Sequence, residues 1–203
     1  GVSFSKVNWL TSVVNDMNYT FVNLNKNSFG ANVLFFNYGE QLETDLTGVV
    51  TGNFSPSSSV WSVNWGGKIK NHNVGVTAKF IQHDLYTQKT HGAAFDIGGF
   101  FPKVYKDLDI DVMMRNFGFG PTFGTFKTNL PTSLNVSFTY PYKQFMFYEQ
   151  HNLMKNHRTH GSGVSYNYKN MLWGKLGYYL DKTHKLNYPT FGLDFKYDKY
   201  LIG

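Results

Sequence analysis

The chain has 203 residues, a formal net charge of +6, 18% aromatic residues, 20 glycines and no cysteine. The absence of cysteine excludes disulfides, thiolate metal sites and cysteine nucleophiles. Lysine and arginine are scattered singly, without a basic run, and this disfavours nucleic acid as a partner. Apolar runs such as Val33 to Phe36 are far shorter than the roughly 18 residues of a membrane-spanning helix.

The first 17 residues carry the weakest structural pattern. They open with GVSFSKVNW, which lacks the basic and apolar regions of a signal peptide, so we expect a processed sequence or one that begins inside the protein. The segment NWLTSVVNDM at 8–17 fits either a short helical turn or a strand followed by a loop. No other segment has the periodicity of an amphipathic helix.

Further along the chain, apolar and polar residues alternate with period two, which predicts strands with one apolar and one polar face. The clearest segments are, in chain order, 59–65, 73–80, 91–101, 107–115, 133–140 and 190–197. Turn residues separate the strands at 25–28, 55–59, 70–73, 103–107 and 140–143. The spacing of strand starts predicts roughly 11 to 13 strands in a single domain.

One of these segments, HGAAFDIGGFF at 91–101, contains a carboxylate among apolar residues. Ala93, Phe95 and Ile97 share one face of the predicted strand, whereas Asp96 lies on the other face with small residues. We therefore expect Asp96 to point into an interior, where it is hydrogen-bonded or paired. Gly98 would leave room there for a neighbouring side chain.

Alternation alone fits a soluble β-sandwich, which buries its apolar face, and also an outer-membrane barrel, which exposes that face to lipid. Large aromatic residues on the predicted apolar face near strand ends favour the barrel, as do many similar strands with short turns: Trp61, Trp65, Trp173, Tyr140 and Tyr197. The predicted fold is an all-β, antiparallel, up-and-down transmembrane β-barrel, with the soluble β-sandwich as the alternative.

The face opposite the apolar one combines glycines with charges of both signs, which can pair with one another or contact lumenal water. The residues predicted to face the lumen are Lys79, Asp96, Asp109, Asp111, Arg115, Asp194 and Lys196.

No motif indicates catalysis, a cofactor or a metal. His157 and His160 of HRTH are predicted to lie in a solvated loop between strands, where a spacing of three does not bring two ligands together. Asp107, Asp109 and Asp111 would lie roughly 6 to 7 Å apart along one strand, so they are expected to pair with lysine or arginine rather than to share an ion. Neither a nucleophile elbow nor a phosphate loop is present.

Two glycine-containing segments interrupt the alternation. GEQLETDLTGVVTGN at 39–53 is long for a turn, and loops of that length often carry function. Its acidic residues Glu40, Glu43 and Asp45 form a possible docking face for a partner, with a solvated outer loop as the equally simple alternative. GFGPTFG at 118–124 is predicted to be a mobile loop or a surface contact.

The stretch from Phe36 to Tyr142 resembles PorV/PorQ-type proteins. Its sequence is similar to theirs in a Tyr–Gly and a Thr–Gly pair, in a G-x-A-x-D-x-G strand, in an Asn-x-Gly loop and in a Leu–Pro strand start. The residues that carry the resemblance are Gly39, Gly48, Gly92, Asp96, Gly98, Asn116, Gly118, Leu130 and Pro131. YPYKQFMFYEQHNL at 140–153 resembles the PorQ branch most.

The resemblance implies a FadL-like outer-membrane barrel of the Bacteroidota type IX secretion system, with about 12 to 14 strands in the complete protein. Because a plug region and the last strands are missing from the pattern, residues 1–203 are expected to be a single barrel domain from a partial chain. The implied protein is not an enzyme and uses no cofactor.

Its implied partners are membrane lipid, other outer-membrane proteins of the secretion system and secreted cargo. The roles of cargo shuttle and attachment scaffold both stay open. The rival function is a FadL-like channel for hydrophobic small molecules, which requires an internal apolar pocket.

Overall fold

The computed structural model describes residues 1–9, 16–197 and 200–202, and gives no side-chain placement for 197 and 200–202. In this part of the chain, no helix is long and apolar enough to cross a membrane. The strands are β1 (Val2–Asn8), β2 (Asn18–Lys26), β3 (Phe29–Asn37), β4 (Gln41–Thr44), β5 (Val50–Phe54), β6 (Ser57–Ile69), β7 (His72–Leu85), β8 (Gln88–Tyr105), β9 (Leu108–Phe119), β10 (Thr122–Phe123), β11 (Phe126–Lys127), β12 (Ser133–Tyr142), β13 (Phe145–Met154), β14 (His157–Tyr168), β15 (Leu172–Asp181), β16 (Leu186–Tyr197) and β17 (Tyr200–Ile202).

Thirteen strands form one sheet in the order β1-β2-β3-β6-β7-β8-β9-β12-β13-β14-β15-β16-β17, and β4-β5 and β10-β11 form two separate hairpins. When the two small hairpins are left out, neighbouring strands of the sheet are also consecutive along the chain. The prediction of an all-β, antiparallel fold is confirmed. No pairing of β1 with β17 is present among the described residues.

Several strands extend further than the turn residues of the sequence predict. The segments 55–59, 103–107 and 140–143 were all predicted as turns, but β6 begins at Ser57, β8 runs to Tyr105 and β12 runs to Tyr142. The turns that remain are tight, and Lys106 and Lys143 adopt positive φ angles of 53° and 55° there. Such left-handed residues match the twist of the two strands that a short hairpin joins. Within the ambiguous segment 8–17, residues 10–15 lie outside the described part of the chain.

Internal contacts divide the chain into two compact units. Unit 1 comprises Gly1–Gly67, Gly75–Asp96 and Asn116–Leu130, and unit 2 comprises Lys68–Val74, Ile97–Arg115 and Pro131–Gly203.

In unit 1, the strand register confirms the alternation read from the sequence. Val33 of β3 lies opposite Trp61 of β6, and Phe29 lies opposite Trp65, while the polar pair Asn32 and Ser62 points to the other side. Trp61 is 56% exposed and Ser62 only 8%. The side of the sheet that is rich in apolar residues is therefore the open one.

Unit 2 has the same arrangement across β12 to β16. Leu134, Phe147, Leu176 and Leu193 belong to one side of the sheet, which we call the apolar face of unit 2. The opposite side, the polar face, carries serine, threonine, glycine and charged residues. Its members include Ser133, Ser137, Gly161, Gly163, Ser165, Lys175, Gly177, Gly192 and Asp194.

Trp173 was predicted on the apolar face, and this is wrong. Leu172, Gly174 and Leu176 hold the apolar face in β15, so Trp173 points to the polar face opposite Asp194. The side chain of Tyr197 lies outside the described residues.

Hydrophobic side chains are mostly exposed. Among the described hydrophobic residues other than proline, only Ala94 is buried, and no large side chain is fully buried. Phe191 is 89% exposed and Leu193 is 67% exposed, both in β16. In its described part, the fold therefore has no buried core of large apolar side chains.

Candidate functional site

Asp96 lies in a polar cluster of unit 1. Lys79 of β7 places its Nζ 2.7 Å from Asp96 Oδ2, and the two side chains are 20% and 21% exposed. The same ammonium donates to Asn116 Oδ1 at 2.9 Å, and the Asn116 main-chain N–H donates to Asp96 Oδ1 at 2.8 Å. The three residues, the Asp96 cluster, join β7, β8 and β9.

The backbone of Asn116 explains why a carboxylate is needed here. Asn116 has a φ of 53° inside β9, a left-handed conformation that asparagine tolerates better than most residues. Such a residue interrupts the regular ladder, and its N–H needs another acceptor. Asp96 supplies that acceptor, and Lys79 balances its charge. The cluster accordingly holds an irregular strand in place.

Glycines make room for this irregularity. A Cβ on Gly118 would collide with the main-chain oxygen of Ala93, and one on Gly92 would lie 2.7 Å from the main-chain oxygen of Phe119. Gly98, in unit 2, has the side chain of Met113 at 3.4 Å from the position of its missing Cβ.

Two further glycines of the resemblance, Gly39 and Gly48, adopt positive φ angles of 81° and 86°. Leu130 and Pro131 precede β12.

The other residues predicted to face a lumen lie in unit 2. Asp194 pairs with Lys175, and Lys196 lines the same concavity of about 420 Å³ together with Trp173. Asp109 accepts the N–H of Lys103 at 2.8 Å, and Arg115 Nε lies 2.8 Å from the sulfur of Met113.

The predicted aspartate ladder is only partly paired. The exposed Asp107 lies 3.6 Å from Lys103, and Asp111 lies opposite Ser137 of β12.

The polar face of unit 2 also forms a larger concavity of about 550 Å³. Its walls include Tyr148, Tyr179 and Tyr188, and the glycines Gly161, Gly163 and Gly177 line it as well. In unit 1, a groove of about 430 Å³ is lined mainly by apolar side chains such as Val33, Trp61 and Phe80. Since Trp61 and Phe80 are themselves exposed, this groove belongs to the open apolar side.

Residues 39–53 are not an irregular loop: most of them form the β4-β5 hairpin. Its three acidic residues all make contacts within unit 1. Glu40 accepts from the Asn53 amide at 2.8 Å, and Glu43 accepts from the Tyr86 hydroxyl. Asp45 accepts from the Thr47 hydroxyl and the Val49 N–H across the turn.

These contacts change the acidity of two groups. The Thr47 hydroxyl, followed by the Val49 amide, holds the pKa of Asp45 below its ordinary value. The hydrogen bond to Glu43 raises the pKa of Tyr86. The carboxylates therefore stabilise the hairpin. The side chains that it leaves most open are apolar, with Leu46 fully exposed and Leu42 and Val49 at 65% and 60%.

The prediction that HRTH lies in a solvated loop is wrong, because β14 begins at His157 and includes His160. Residues three apart on a strand point to opposite faces. His160 lies beside His151 and close to Glu149 on the apolar face of unit 2, whereas His157 lies with Asp181 on the polar face. The two histidines thus belong to different clusters.

The Asp181 cluster consists of His157, Asp181 and His184. Asp181 Oδ2 lies 2.8 Å from His157 Nε2 and 2.7 Å from His184 Nδ1. Asp181 Oδ1 accepts the N–H groups of Thr183 at 2.9 Å and His184 at 3.1 Å. Asp181 is the last residue of β15 and is 4% exposed.

Sequence reasoning missed this cluster because its members come from two strands and a turn. His157 and Asp181 are 24 residues apart, and only the pairing of β14 with β15 brings them together. The local D-x-x-H pattern at 181–184 was the one available sign.

No protein-family model matches the chain, and no curated protein sequence matches it.

Proposed function

We propose that the protein is an outer-membrane β-barrel, FadL-like in fold, that serves the type IX secretion system by binding secreted or attachment-complex proteins. The observation that carries the membrane assignment is the exposure of large apolar side chains on one side of the sheet, with no apolar core beneath them. In lipid that side is the favourable one to expose, and the polar side lines an interior.

The short turns of unit 2 support a membrane interface. Three consecutive turns at one end of its strands repeat a Tyr–Lys pair, at 105–106, 142–143 and 168–169. Each lysine lies 5.3 or 5.4 Å from the centre of its tyrosine ring. Tyrosine and lysine are typical of the level of lipid headgroups, where the ring contacts apolar chains and the ammonium stays in water.

The connections of unit 1 provide the docking surface in this proposal. The long connections β3–β6 and β9–β12 carry the small hairpins, and the turn between β7 and β8 contacts the first of them through Tyr86. Long connections are typical of the outer side of such barrels. Because Glu40, Glu43 and Asp45 already hold the hairpin, we place the contact with a partner on its exposed apolar residues Leu42, Leu46 and Val49.

The alternatives fit the geometry less well. A channel for hydrophobic molecules needs an apolar pocket on the inner side. The concavities on the polar face combine apolar and aromatic residues such as Leu176, Tyr179 and Trp173 with the charged Lys175 and Asp194, so charge interrupts their apolar lining. The apolar groove of unit 1 lies on the side that lipid would cover in this proposal. A soluble sandwich needs two apolar faces packed together, and the described hydrophobic residues are exposed instead.

The test is affinity purification of the tagged, full-length protein from native membranes in mild detergent, with identification of the proteins that accompany it. Recovery with other secretion components or large secreted proteins is expected. If the protein needs detergent but is recovered without partners, the channel for hydrophobic molecules becomes the favoured function. Extraction without detergent would overturn the membrane assignment.

A pair of variants locates the docking surface. Leu46→Asp introduces a charge at the tip of the β4-β5 hairpin and is expected to abolish co-purification while leaving the barrel in the membrane. Thr125→Asp places the same charge at the exposed turn of the β10-β11 hairpin and serves as the matched control. If partners are recovered equally with both variants and the wild type, the β4-β5 hairpin is not the docking surface.

A further inference from the structure

The Asp181 cluster of unit 2 has the composition and geometry of a metal site. One nitrogen each of His157 and His184 and one oxygen of Asp181 lie within 4.8 Å of one another. We propose that these three side chains bind a divalent transition-metal ion, with Zn²⁺ as the best match. The inference is independent of the secretion role, because it requires only the folded hairpins of unit 2.

The ligand types select the class of ion. Two imidazole nitrogens and one carboxylate oxygen suit Zn²⁺ and related transition metals, whereas Ca²⁺ and Mg²⁺ prefer a shell of oxygen ligands. Three protein ligands leave one position of a tetrahedron open for water or another ligand, as in many zinc sites that bind or activate small molecules.

The distances are close to those that such an ion needs. Bonds of about 2.0 to 2.1 Å in a tetrahedron place neighbouring ligand atoms about 3.3 Å apart. The two nitrogen–oxygen distances are 2.8 and 2.7 Å, so each must open by roughly 0.5 Å. His184 can supply this movement, because its side chain is 67% exposed on the turn between β15 and β16.

Asp181 is fixed in the orientation that the site requires. Its Oδ1 is occupied by two main-chain N–H groups, which leaves Oδ2 directed at both imidazoles. Thr183 ties the turn to the neighbouring connection, since its hydroxyl accepts from the Arg158 N–H at 3.2 Å and donates to the Asn156 oxygen at 3.3 Å. Such outer hydrogen bonds orient metal ligands and raise affinity.

The second histidine cluster is the natural comparison. In it, His151 directs Nε2 to Glu149 at 2.9 Å and Nδ1 to His160 at 3.4 Å. The two nitrogens of the His151 ring point in different directions, one towards Glu149 and the other towards His160. These contacts therefore do not direct the three side chains at one ion. No main-chain hydrogen bond to Glu149 Oε1 or Oε2 is present in the described part of the chain, in contrast to Asp181.

The experiment titrates the purified full-length protein in detergent with Zn²⁺ by calorimetry, and with Co²⁺ by visible absorption, which reports tetrahedral nitrogen and oxygen ligands. One equivalent is expected to bind. His184→Ala and His157→Ala are each expected to weaken binding by at least about 100-fold. Loss of an outer-shell partner weakens binding by up to about 100-fold, and loss of a direct ligand should cost at least as much. His184 is exposed and on a turn, so its removal leaves the fold intact.

His160→Ala is the matched control, because it removes a histidine from the same strand and from the other cluster. It should bind the metal as the wild type does. Absence of stoichiometric binding to the wild type would overturn the proposal and leave the cluster as a set of hydrogen bonds. Binding that survives His184→Ala and His157→Ala but disappears in His160→Ala would overturn it as well, by moving the site to the apolar face.

Discussion

Asp96 and Asp181 solve the same structural problem in two ways. Each carboxylate accepts main-chain N–H groups at an irregular point of the backbone. Asp96 accepts the N–H of Asn116, and Asp181 accepts the N–H groups of Thr183 and His184 in the turn 182–185. Asp96 takes its compensating charge from Lys79, whereas Asp181 contacts two imidazoles. An ammonium has no lone pair, while a neutral imidazole has one, so only the second arrangement can exchange its protons for a metal ion.

Among the substitutions, the largest loss of stability is expected when the Asp96 cluster is broken. Asp96→Ala removes the carboxylate that accepts the Asn116 N–H and balances the charge of Lys79, and should lower the free energy of unfolding by about 2 kcal/mol. Urea unfolding in detergent micelles measures this. Asp84→Ala is the control, because its ion pair with Lys89 is exposed and contributes under about 1 kcal/mol. Equal losses for the two variants would contradict the role assigned to Asp96.

The Asp181 cluster should respond to metal where the Asp96 cluster does not. Zn²⁺ at a hundred times its dissociation constant is expected to stabilise the folded protein by about 2.7 kcal/mol, since it binds the folded state alone. Thermal unfolding with and without a chelator measures the difference. Lys79→Met should retain the zinc response and His184→Ala should lose it. If His184→Ala leaves the stabilisation by zinc unchanged, the ion does not bind at the Asp181 cluster.

The backbone of Asn116 supplies a finer test of the first cluster. Asn116→Ala should cost about 1 kcal/mol more than Asn116→Gly, because alanine lacks glycine's freedom at a φ of 53°. Both variants lose the side-chain contact with Lys79, so the pair isolates the backbone contribution in the same unfolding measurement. A smaller cost for alanine than for glycine would mean that this conformation is not retained.

The smallest effect concerns Asp45, a third carboxylate. In the described part of the chain it accepts from two N–H groups and a hydroxyl rather than from a cation. Its folded pKa lies below the ordinary 3.8, so its stabilisation of the hairpin is present above pH 3.8 and is lost as the pH falls through the lowered value. Carbon-detected NMR titration measures the pKa. Thr47→Val should move it towards 3.8, and Thr51→Val should leave it unchanged.

The sequence predicted the strands better than their contacts. The period-two pattern located the alternating segments. It also placed the side chains of Asp96 and Phe95 on opposite faces of their strand, because alternation is a property of a single strand. It could not show which residue of a neighbouring strand lies opposite, and for that reason the contact of His157 with Asp181 was missed. Trp173 was placed on the wrong face since a one-residue change in phase reverses every side chain of a strand.

Irregular backbone was the other obstacle. Asparagine tolerates a left-handed conformation, but MMRNFGFG does not show that Asn116 adopts one within a strand. The bond from its N–H to Asp96 accompanies that conformation. The hairpin of residues 41–54 was similarly hidden, since its strands have only four and five residues and one register shift. The proposed partners and localisation stay predictions.

The strand order of the sheet also has a consequence for how the chain assembles. β13, β14, β15 and β16 are joined by turns of two to four residues, and each pairs with the strand just made. Closing so short a loop costs little entropy, so each strand can add to the edge that its predecessor leaves. Nascent protein could therefore grow by successive hairpins, and the slow steps are expected at the two long connections, β3–β6 and β9–β12.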